Sequence, residues 1–506
     1  MKYKFENYTL DVERRELRCD GIIRSVEPQV FDLLHFLIKN CERVVSREDI
    51  FQAVWRGRIV SDAVLGTRIN AARIAIGDDG TQQRLIKTLP RNGFRFIAAV
   101  REAKRETNAP IIVPPGKLSL AVVSSTLYDG DEELACISKG IADDLTVALA
   151  RSRAFDVIAH NSICSDGDDP RPIARELGAN YLIICGLRRA ADRVRLTVRL
   201  IDGGVGVYIW ARSYTQGQTT GFVDQDVVTA QIAAATEPCI YAAEAKRQCE
   251  KPLHDLDAID CVTKALVLGK NRTRENVAIA EELLRRAIEL EPHYGRAHSV
   301  LAELLGREVL YGRKPRRSTV PLAFEAAQKA VLCDEHDAWA HFALGWAFSM
   351  SRSPEAGIEE YRKALAINPY LPHIQCCVAA ALSSVGQTEK ALAELGEAER
   401  LGAPEVYPGQ CNSIRALVYF LSEKRDEAIK AAQRSVWQTP IRIFGHHHLA
   451  VNYALAGKVE EARAALATLV RLVPNISLNV IAESLPYIND RASNQVLDAF
   501  RLMGIR

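Results

Sequence analysis

Cationic side chains are concentrated between positions 54 and 95. This stretch holds eight Lys or Arg residues against three Asp residues, a local net charge of +5, whereas the 506-residue chain has a net charge of only +2. Clustered guanidinium and ammonium groups suit contact with phosphates and a binding that weakens with salt. The cations are Arg56, Arg58, Arg68, Arg73, Arg84, Lys87, Arg91 and Arg95.

A helix and a hairpin are predicted to carry most of these cations. Ser61 is expected to cap a helix that runs to Ile76, with apolar residues spaced by four, three and four as its buried face. The following residues 85–97 predict a hairpin that turns near Gly93, where the absence of a side chain allows a close approach. The predicted buried face comprises Leu65, Ile69, Ala72 and Ile76.

Arginine and asparagine on an exposed helix face can read guanine and adenine edges in the major groove of DNA. We therefore predict that this helix and hairpin form a DNA-binding surface. Taken one at a time, each arginine is better explained as a solvated surface charge than as a base contact, so the prediction depends on their combination with the order of the elements. The predicted contact residues are Arg56, Arg58, Thr67, Arg68, Asn70, Arg73, Lys87, Arg91 and Arg95.

Two earlier helices are predicted to position the cationic helix. The dipeptide Glu27-Pro28 is typical of a helix start, since proline is tolerated in the first turn. A second helix, to about Trp55, is predicted to begin with a capping box formed by Ser46 and Asp49. An opening hairpin before these helices completes a small domain.

Residues 3–98 resemble the OmpR/PhoB-type winged-helix family. The matching stretches are the Leu-Asp of the opening hairpin, Glu-Pro-Gln-Val-Phe-Asp-Leu-Leu, Val-Ser-Arg-Glu-Asp-Ile and the closing Gly-Phe-Arg-Phe. The resemblance implies a recognition helix at 61–76 in the major groove and a wing at 85–97 near the minor groove. Carried over by position, it implies that Arg68, Asn70 and Arg73 face DNA. Ala71 departs from the family, in which a basic residue is frequent.

An α/β region is predicted at 118–245, after a charged and then Pro-rich linker at 101–117. Short apolar strands alternate with helical patterns, and residues 193–201 alternate polar and apolar side chains as a half-buried strand does. The region resembles the TolB-amino-terminal-like domain, although the usual Pro-Phe after the first strand is replaced by Ser124-Ser125.

Helical pairs repeat from residue 256 to the end. Prolines follow predicted helices at a spacing close to the 34 residues of a tetratricopeptide repeat, with five or six repeats expected. The clearest unit runs from Ala338 to Pro369, and its aromatic residues are assigned to the core together with a later tryptophan. The prolines are Pro292, Pro369, Pro404, Pro440 and Pro474, and the core aromatics are Trp339, Trp346, Tyr361 and Trp437.

The predicted fold class is therefore multidomain α/β plus all-α. It comprises a winged helix-turn-helix domain at 1–100, the linker at 101–117, an α/β middle domain at 118–245 and a tetratricopeptide-repeat α-solenoid at 256–506. The order of the parts resembles that of HilA-type activators. CadC/ToxR-type activators add a membrane helix and response regulators add a receiver domain; neither is expected here.

No catalytic, cofactor or metal site is predicted, so the chain is expected not to be an enzyme. Neighbouring Asp143 and Asp144 diverge on a helix, and the acidic residues at 166–169 suit a loop. The run His446–His448 would lie on a helix, partly exposed, where three consecutive side chains cannot easily share one ion. The twelve cysteines form no CxxC pair and, with no signal peptide or membrane segment in the sequence, favour a cytoplasmic protein.

The leading hypothesis is a sequence-specific transcriptional regulator, and specifically an activator. Its expected partners are double-stranded promoter DNA, a protein or peptide on the repeat surface and RNA polymerase, with a dimer on DNA and no membrane. The alternative is a repeat-based scaffold or adaptor whose winged helix makes protein contacts. A nucleotide-cyclase-like enzyme ranks last, because no cyclase catalytic domain remains to be placed.

Overall fold

A computed structural model describes residues 2–12, 15–19, 22–24, 26–55, 62–98, 100–103, 118–126, 132–158, 163–165, 169–190, 193–217, 225–248, 251, 255–270, 273–485 and 490–506. The chain divides into two units, Met1–Pro110 and Ile111–Arg506, and each is described by itself. The finer division at 100, 117 and 245 stays a prediction.

The first unit combines an antiparallel sheet, three helices and a hairpin. The sheet has the strand order β4-β3-β2-β1-β7, and β5 pairs with β6 as a separate hairpin. Three residues that were assigned to the linker instead form the edge strand β7, while 104–117 lie outside the described residues. The elements are β1 Lys2–Phe5, β2 Tyr8–Asp11, β3 Glu16–Cys19, β4 Ile22–Arg24, α1 Pro28–Lys39, α2 Arg47–Trp55, α3 Asp62–Ala75, β5 Ile86–Leu89, β6 Gly93–Phe96 and β7 Arg101–Ala103.

Local sequence signals explain where these helices begin and what they bury. The Asp49 N–H donates to the Ser46 hydroxyl at 3.1 Å and the Ser46 N–H donates to the Asp49 carboxylate at 3.0 Å, so the capping box at α2 is confirmed. The predicted buried face of α3 is also confirmed, with each of its four residues at most 2% exposed. This face packs in the core of the unit together with α1 and the hairpin.

The second unit begins with a mixed sheet of strand order β10-β8-β11-β12-β13. The β8 strand pairs in parallel with β9, β10 and β11, and the last three strands are antiparallel. Leu120 and Val122 face α4 and α6, and Ala121 and Val123 face α5. The elements are β8 Leu118–Thr126, α4 Glu132–Leu149, β9 Phe155–Ile158, β10 Ile163–Ser165, α5 Pro170–Leu177, β11 Tyr181–Ala190, β12 Arg193–Asp202, β13 Tyr208–Gly217 and α6 Gln225–Gln248.

The rest of the unit is a solenoid of tetratricopeptide type, built from consecutive helix pairs. Six long pairs, α7–α8, α9–α10, α11–α12, α13–α14, α16–α17 and α18–α19, are followed by the shorter α20–α21. The five prolines lie two to four residues after the ends of α8, α12, α14, α17 and α19, as predicted. The helices are α7 Ala258–Lys270, α8 Arg274–Leu290, α9 Gly295–Leu310, α10 Arg316–Cys333, α11 Ala338–Met350, α12 Pro354–Ile367, α13 Pro372–Ser384, α14 Thr388–Arg400, α15 Ala403–Val406, α16 Gln410–Leu421, α17 Arg425–Gln438, α18 Ile443–Leu455, α19 Val459–Leu472, α20 Leu478–Ser484 and α21 Asp490–Leu502.

Two expectations about the repeats are wrong. Trp437, assigned to the core, is 84% exposed on α17. The run His446–His448 is buried on α18 instead of partly exposed, because consecutive positions there face neighbouring helices on several sides. Tyr361 is buried as expected, and Trp339 and Trp346 are half-buried.

Among the described residues, no helix is both long and apolar enough to cross a membrane.

Candidate nucleic-acid interface

The exposed face of α3 carries few charges. Ala63, Thr67, Asn70 and Ile74 are exposed at spacings of four, three and four, opposite the buried stripe, and we call these four residues the outer face of α3. The Thr67 hydroxyl donates to the Ala63 carbonyl oxygen at 2.9 Å. The outer face therefore offers one amide, one hydroxyl acceptor and several methyl groups, which is the chemistry that contacts adenine and thymine.

Arg73 corrects the sequence-based prediction. Its side chain is only 6% exposed, and its Nη2 donates to the Ile86 carbonyl oxygen and to the Thr88 hydroxyl, each at 2.8 Å. Burial lowers the pKa of Arg73, against the opposing effect of the nearby Asp78. Arg73 joins α3 to β5 and is not on the outer face, because the turn after α3 folds the hairpin over it.

Arg68 lies at the side of α3 and is held in an ion pair with Glu27. The pair is near the surface, where such contacts contribute about 0–1 kcal/mol, and the side chain of Glu27 is 66% exposed. A phosphate or base could therefore displace the carboxylate at little cost. The DNA contact of Arg68 stays a prediction.

The buried carboxylate of Asp78 was missed from the sequence. It accepts the N–H groups of Arg84, Leu85 and Ile86 at 2.7–3.0 Å and so fixes the chain between α3 and β5. Burial alone would raise the pKa of Asp78, but these main-chain donors outweigh it and the pKa is lowered. An aspartate just after the helix-ending Gly77, inside a cationic segment, was the available signal.

The wing, defined here as residues 86–96, is attached to the loop before α2. The main chains of Phe94 and Val45 exchange two hydrogen bonds of 2.8 and 2.9 Å. Gly93 has φ +123°, and a Cβ added there would lie 2.0 Å from the Val45 carbonyl oxygen. The close approach predicted at Gly93 is therefore made to the protein itself, and it sets the direction of the wing.

Three cations project from the wing. Lys87 and Arg95 are paired directly across the hairpin, Arg91 occupies its turn with φ +68°, and all three are exposed. None of the three forms an ion pair within the described part of the chain. Like charges directly opposite each other weaken a hairpin, so this arrangement has a cost that an external anion would remove.

The other predicted cations are placed differently. Arg84 pairs with Glu6 at 2.6 Å, whereas Arg56 and Arg58 lie outside the described residues. Three of the predicted cations, all on the wing, are thus left without a carboxylate partner among the described residues, although the Arg95 Nε donates to the Cys41 carbonyl oxygen at 3.2 Å. Their contacts with DNA stay predictions.

Other candidate chemistry gains no support. Asp143 and Asp144 lie within α4, as expected, while 166–168 lie outside the described residues. Cys376 and Cys411 place their sulfur atoms 3.6 Å apart inside the repeats. Where the chain is described, no group of three or more His, Cys, Asp or Glu side chains could hold a metal ion.

Comparison with known proteins agrees with this geometry. Residues 24–96 match the family described as "Transcriptional regulatory protein, C terminal". The Transcriptional regulator HilA of Salmonella typhi is 21% identical over 410 residues, which are 79% of this chain and 70% of that protein. The phosphate regulon regulatory protein PhoB of Klebsiella pneumoniae is 36% identical over 96 residues, 19% of this chain and 42% of that protein.

The name of a further relative describes an enzyme. "Putative adenylate cyclase 3" of Rhizobium meliloti (strain 1021) is 30% identical over 244 residues. The match spans 47% of this chain but only 41% of that protein.

The class of protein follows from the fold, the family match and these relatives. The amino-terminal domain is a winged helix of the OmpR/PhoB type, and in this chain it is combined with an α/β region and a tetratricopeptide-type solenoid. The resemblance predicted from the amino-terminal sequence is thereby confirmed.

Proposed function

We propose that the chain binds promoter DNA in a sequence-specific manner and regulates transcription as an activator. In this proposal the outer face of α3 enters the major groove and the wing contacts the backbone. One observation carries it: the three unpaired cations of the wing stand on the hairpin that Arg73 joins to α3. The ordered cationic hairpin and the polar helix face together suit a duplex better than a protein partner.

The test is titration of the full chain with a duplex selected from a random library, at several salt concentrations. Asn70→Ala should reduce the preference for the selected sequence over a scrambled one. Lys87→Ala and Arg91→Ala should each weaken binding to both duplexes. Each should also reduce, by about one, the magnitude of the slope of log affinity against log salt concentration. Arg24→Ala is the matched control, because Arg24 is exposed on the strand β4 at the far edge of the amino-terminal sheet.

The alternative is an adaptor in which the winged helix makes protein contacts. Residues 1–110 and 111–506 can be compared for retention on immobilised DNA. Retention of the second fragment alone would favour the adaptor, and retention of the first alone supports the regulator.

We further propose that the chain is not an enzyme and that its similarity to the cyclase relative reflects shared non-catalytic regions. Formation of cyclic AMP from ATP by the purified chain would contradict this.

Because promoter DNA is the proposed target, we propose a cytoplasmic location. Contact with RNA polymerase and pairwise binding to tandem sites are also proposed, and a duplex with one or two half-sites tests the latter by stoichiometry.

A further inference from the structure

A large cavity lies inside the second unit. The repeat helices surround a volume of about 940 Å³, within the range of sites that hold small molecules. Much of its wall is apolar or aromatic, which favours a ligand with an apolar body. Aromatic residues in the wall include Trp339, Trp346, Tyr361, Tyr407 and Phe444.

Described helices bound the cavity on two sides. On one side α6 contributes Glu237 and Tyr241 to the wall. On the other side α20 is held against the start of the solenoid, because Arg316 donates to the carbonyl oxygens of Glu483 and Leu485 at 2.6 and 3.0 Å. The cavity therefore lies between α6 and the last helices of the solenoid.

The charge of the wall is unbalanced. Six arginines line the cavity, against two glutamates and no aspartate. Three of these arginines have carboxylate partners: Arg296 with Glu237, Arg307 with Glu303 and Arg313 with Glu308. The remaining lining arginines are Arg274, Arg442 and Arg471.

Arg442 stands out among the remaining arginines because it is largely enclosed. Its Nη2 donates to the Pro408 carbonyl oxygen at 3.0 Å, while its Nε is buried and has no hydrogen-bond partner in the described part of the chain. No carboxylate pairs with it there. Its pKa is lowered, first by burial and then by the like charge of Arg307.

The carboxylate that contacts Arg307 is already engaged. Glu303 pairs with Arg307 and lies 3.8 Å from the His373 Nε2. An anion beside Arg442 would offset both the desolvation of its guanidinium and its repulsion from Arg307.

We propose that this cavity binds a small organic anion, with its apolar body against the aromatic wall and its acid group beside Arg442 and Arg307. The site is separate from the DNA-binding surface, and the proposal does not depend on the proposed function. It supplies a place where a metabolite could act on a chain that also carries a winged helix.

Two fluorescent probes test the proposal on the full chain. Anilinonaphthalene sulfonate is an aromatic anion, and phenylnaphthylamine is its neutral counterpart. We expect one sulfonate probe to bind per chain. Arg442→Gln should lower the affinity for the sulfonate probe by about tenfold or more. It should change the affinity for the neutral probe by less than about twofold. Arg463→Gln, an exposed arginine on α19, is the matched control and should change neither.

Further variants guard against a folding defect, since Arg442 also contacts Pro408. Arg307→Gln leaves the contact between Arg442 and Pro408 in place. It should lower the affinity for the sulfonate probe but not that for the neutral probe. Ala380→Trp, which fills part of the cavity, should reduce the binding of both probes. Each variant is checked by its melting temperature.

The acid group could come from a free metabolite or from a peptide terminus. Naphthoate and naphthyl phosphate should displace the sulfonate probe, whereas peptides with free or amidated carboxyl termini should not. Displacement by the free-terminus peptide alone would overturn the assignment to a small molecule. Binding of several probes per chain, or equal weakening of both probes by Arg442→Gln, would overturn the site itself.

Discussion

The Arg73 guanidinium on α3 donates to the Ile86 carbonyl oxygen on β5 at 2.8 Å. A cation that the sequence predicted to contact DNA therefore makes its hydrogen bonds inside the protein. It links the helix proposed to read bases to the hairpin proposed to contact phosphates, so the relative orientation of the two depends on a buried contact. This relationship separates residues that would build the surface from residues that would touch DNA.

Arg73→Ala should destabilise the first unit without changing base preference. It leaves the buried Ile86 carbonyl oxygen without its donor, at a cost of about 1–3 kcal/mol. We expect lower affinity for all duplexes, measured by titration, and faster hydrogen exchange in β5. A changed ranking of selected sequences would mean that Arg73 contacts bases after all.

The outer face of α3 predicts a preference for A·T pairs in the major groove. Asn70 can pair with adenine N6 and N7, and the methyl groups of Thr67 and Ile74 can contact the thymine methyl group. Replacing thymine by uracil within the selected site, or adenine by 7-deazaadenine, should weaken binding at one or more positions by about 1–3 kcal/mol. The same replacements outside the footprint are the control. A selected site made of G·C pairs would contradict the prediction.

Gly93→Ala should loosen the attachment of the wing. The added Cβ would lie 2.0 Å from the Val45 carbonyl oxygen, at a φ that alanine rarely adopts. Hydrogen exchange at the Phe94 and Val45 amides should accelerate, and affinity for DNA should fall. Gly66→Ala is the control for the exchange measurement, because its added Cβ would meet no atom within 4 Å beyond its chain neighbours and the adjoining backbone of its own helix. Unchanged protection in Gly93→Ala would show that the wing can shift without losing these bonds.

Asp78 should make the wing sensitive to acid. Since its pKa is lowered from 3.8 in the folded chain, its contribution to stability is present above about pH 4 and is lost as the pH falls below the ordinary aspartate value. Protection of the Leu85 and Ile86 amides, measured by hydrogen exchange, should decrease over that range. In Asp78→Asn the protection should already be lower at neutral pH. A decrease of equal size and midpoint in that variant would assign the acid effect to other groups.

Glu237→Gln should weaken the contact between α6 and the repeats. The buried carboxylate accepts from Arg296 at 3.0 Å, Ser152 at 3.1 Å and the Trp339 indole at 3.3 Å. Disrupting a buried pair by changing one partner lowers the free energy of unfolding by up to about 3–5 kcal/mol. Amide hydrogen exchange in α6 and α11 should therefore become faster. Glu405→Gln removes a more exposed pair with Arg212 and should cost at most about 1 kcal/mol. Equal effects of the two variants would contradict this prediction.

Local patterns predicted most elements of the fold. Three of these patterns depend only on residues a few positions apart, so they can be recognised in the sequence. They are the capping box at Ser46, the apolar spacing from Leu65 to Ile76 and the repeated prolines. The strand predicted at 193–201 followed the same rule, since alternation of polar and apolar residues marks a half-buried strand, and it is observed as β12. Two exceptions are the exposed position of Trp437 on α17 and the burial of His446–His448 on α18, because both depend on which faces the neighbouring helices cover.

The sequence by itself determined the helical repeats and the concentration of charge between positions 54 and 95, because these are properties of composition and short spacing. It indicated the winged-helix class through the resemblance of residues 3–98 to the OmpR/PhoB-type family. Only the tertiary structure decided how that charge is used. It buried Arg73, paired Arg68 and Arg84 with carboxylates distant in the sequence, and left Lys87, Arg91 and Arg95 exposed. It likewise buried the Arg442 Nε in the wall of a cavity that Arg307 also lines. The partner of a charged side chain is set by the packing of separate elements, and no local pattern encodes it.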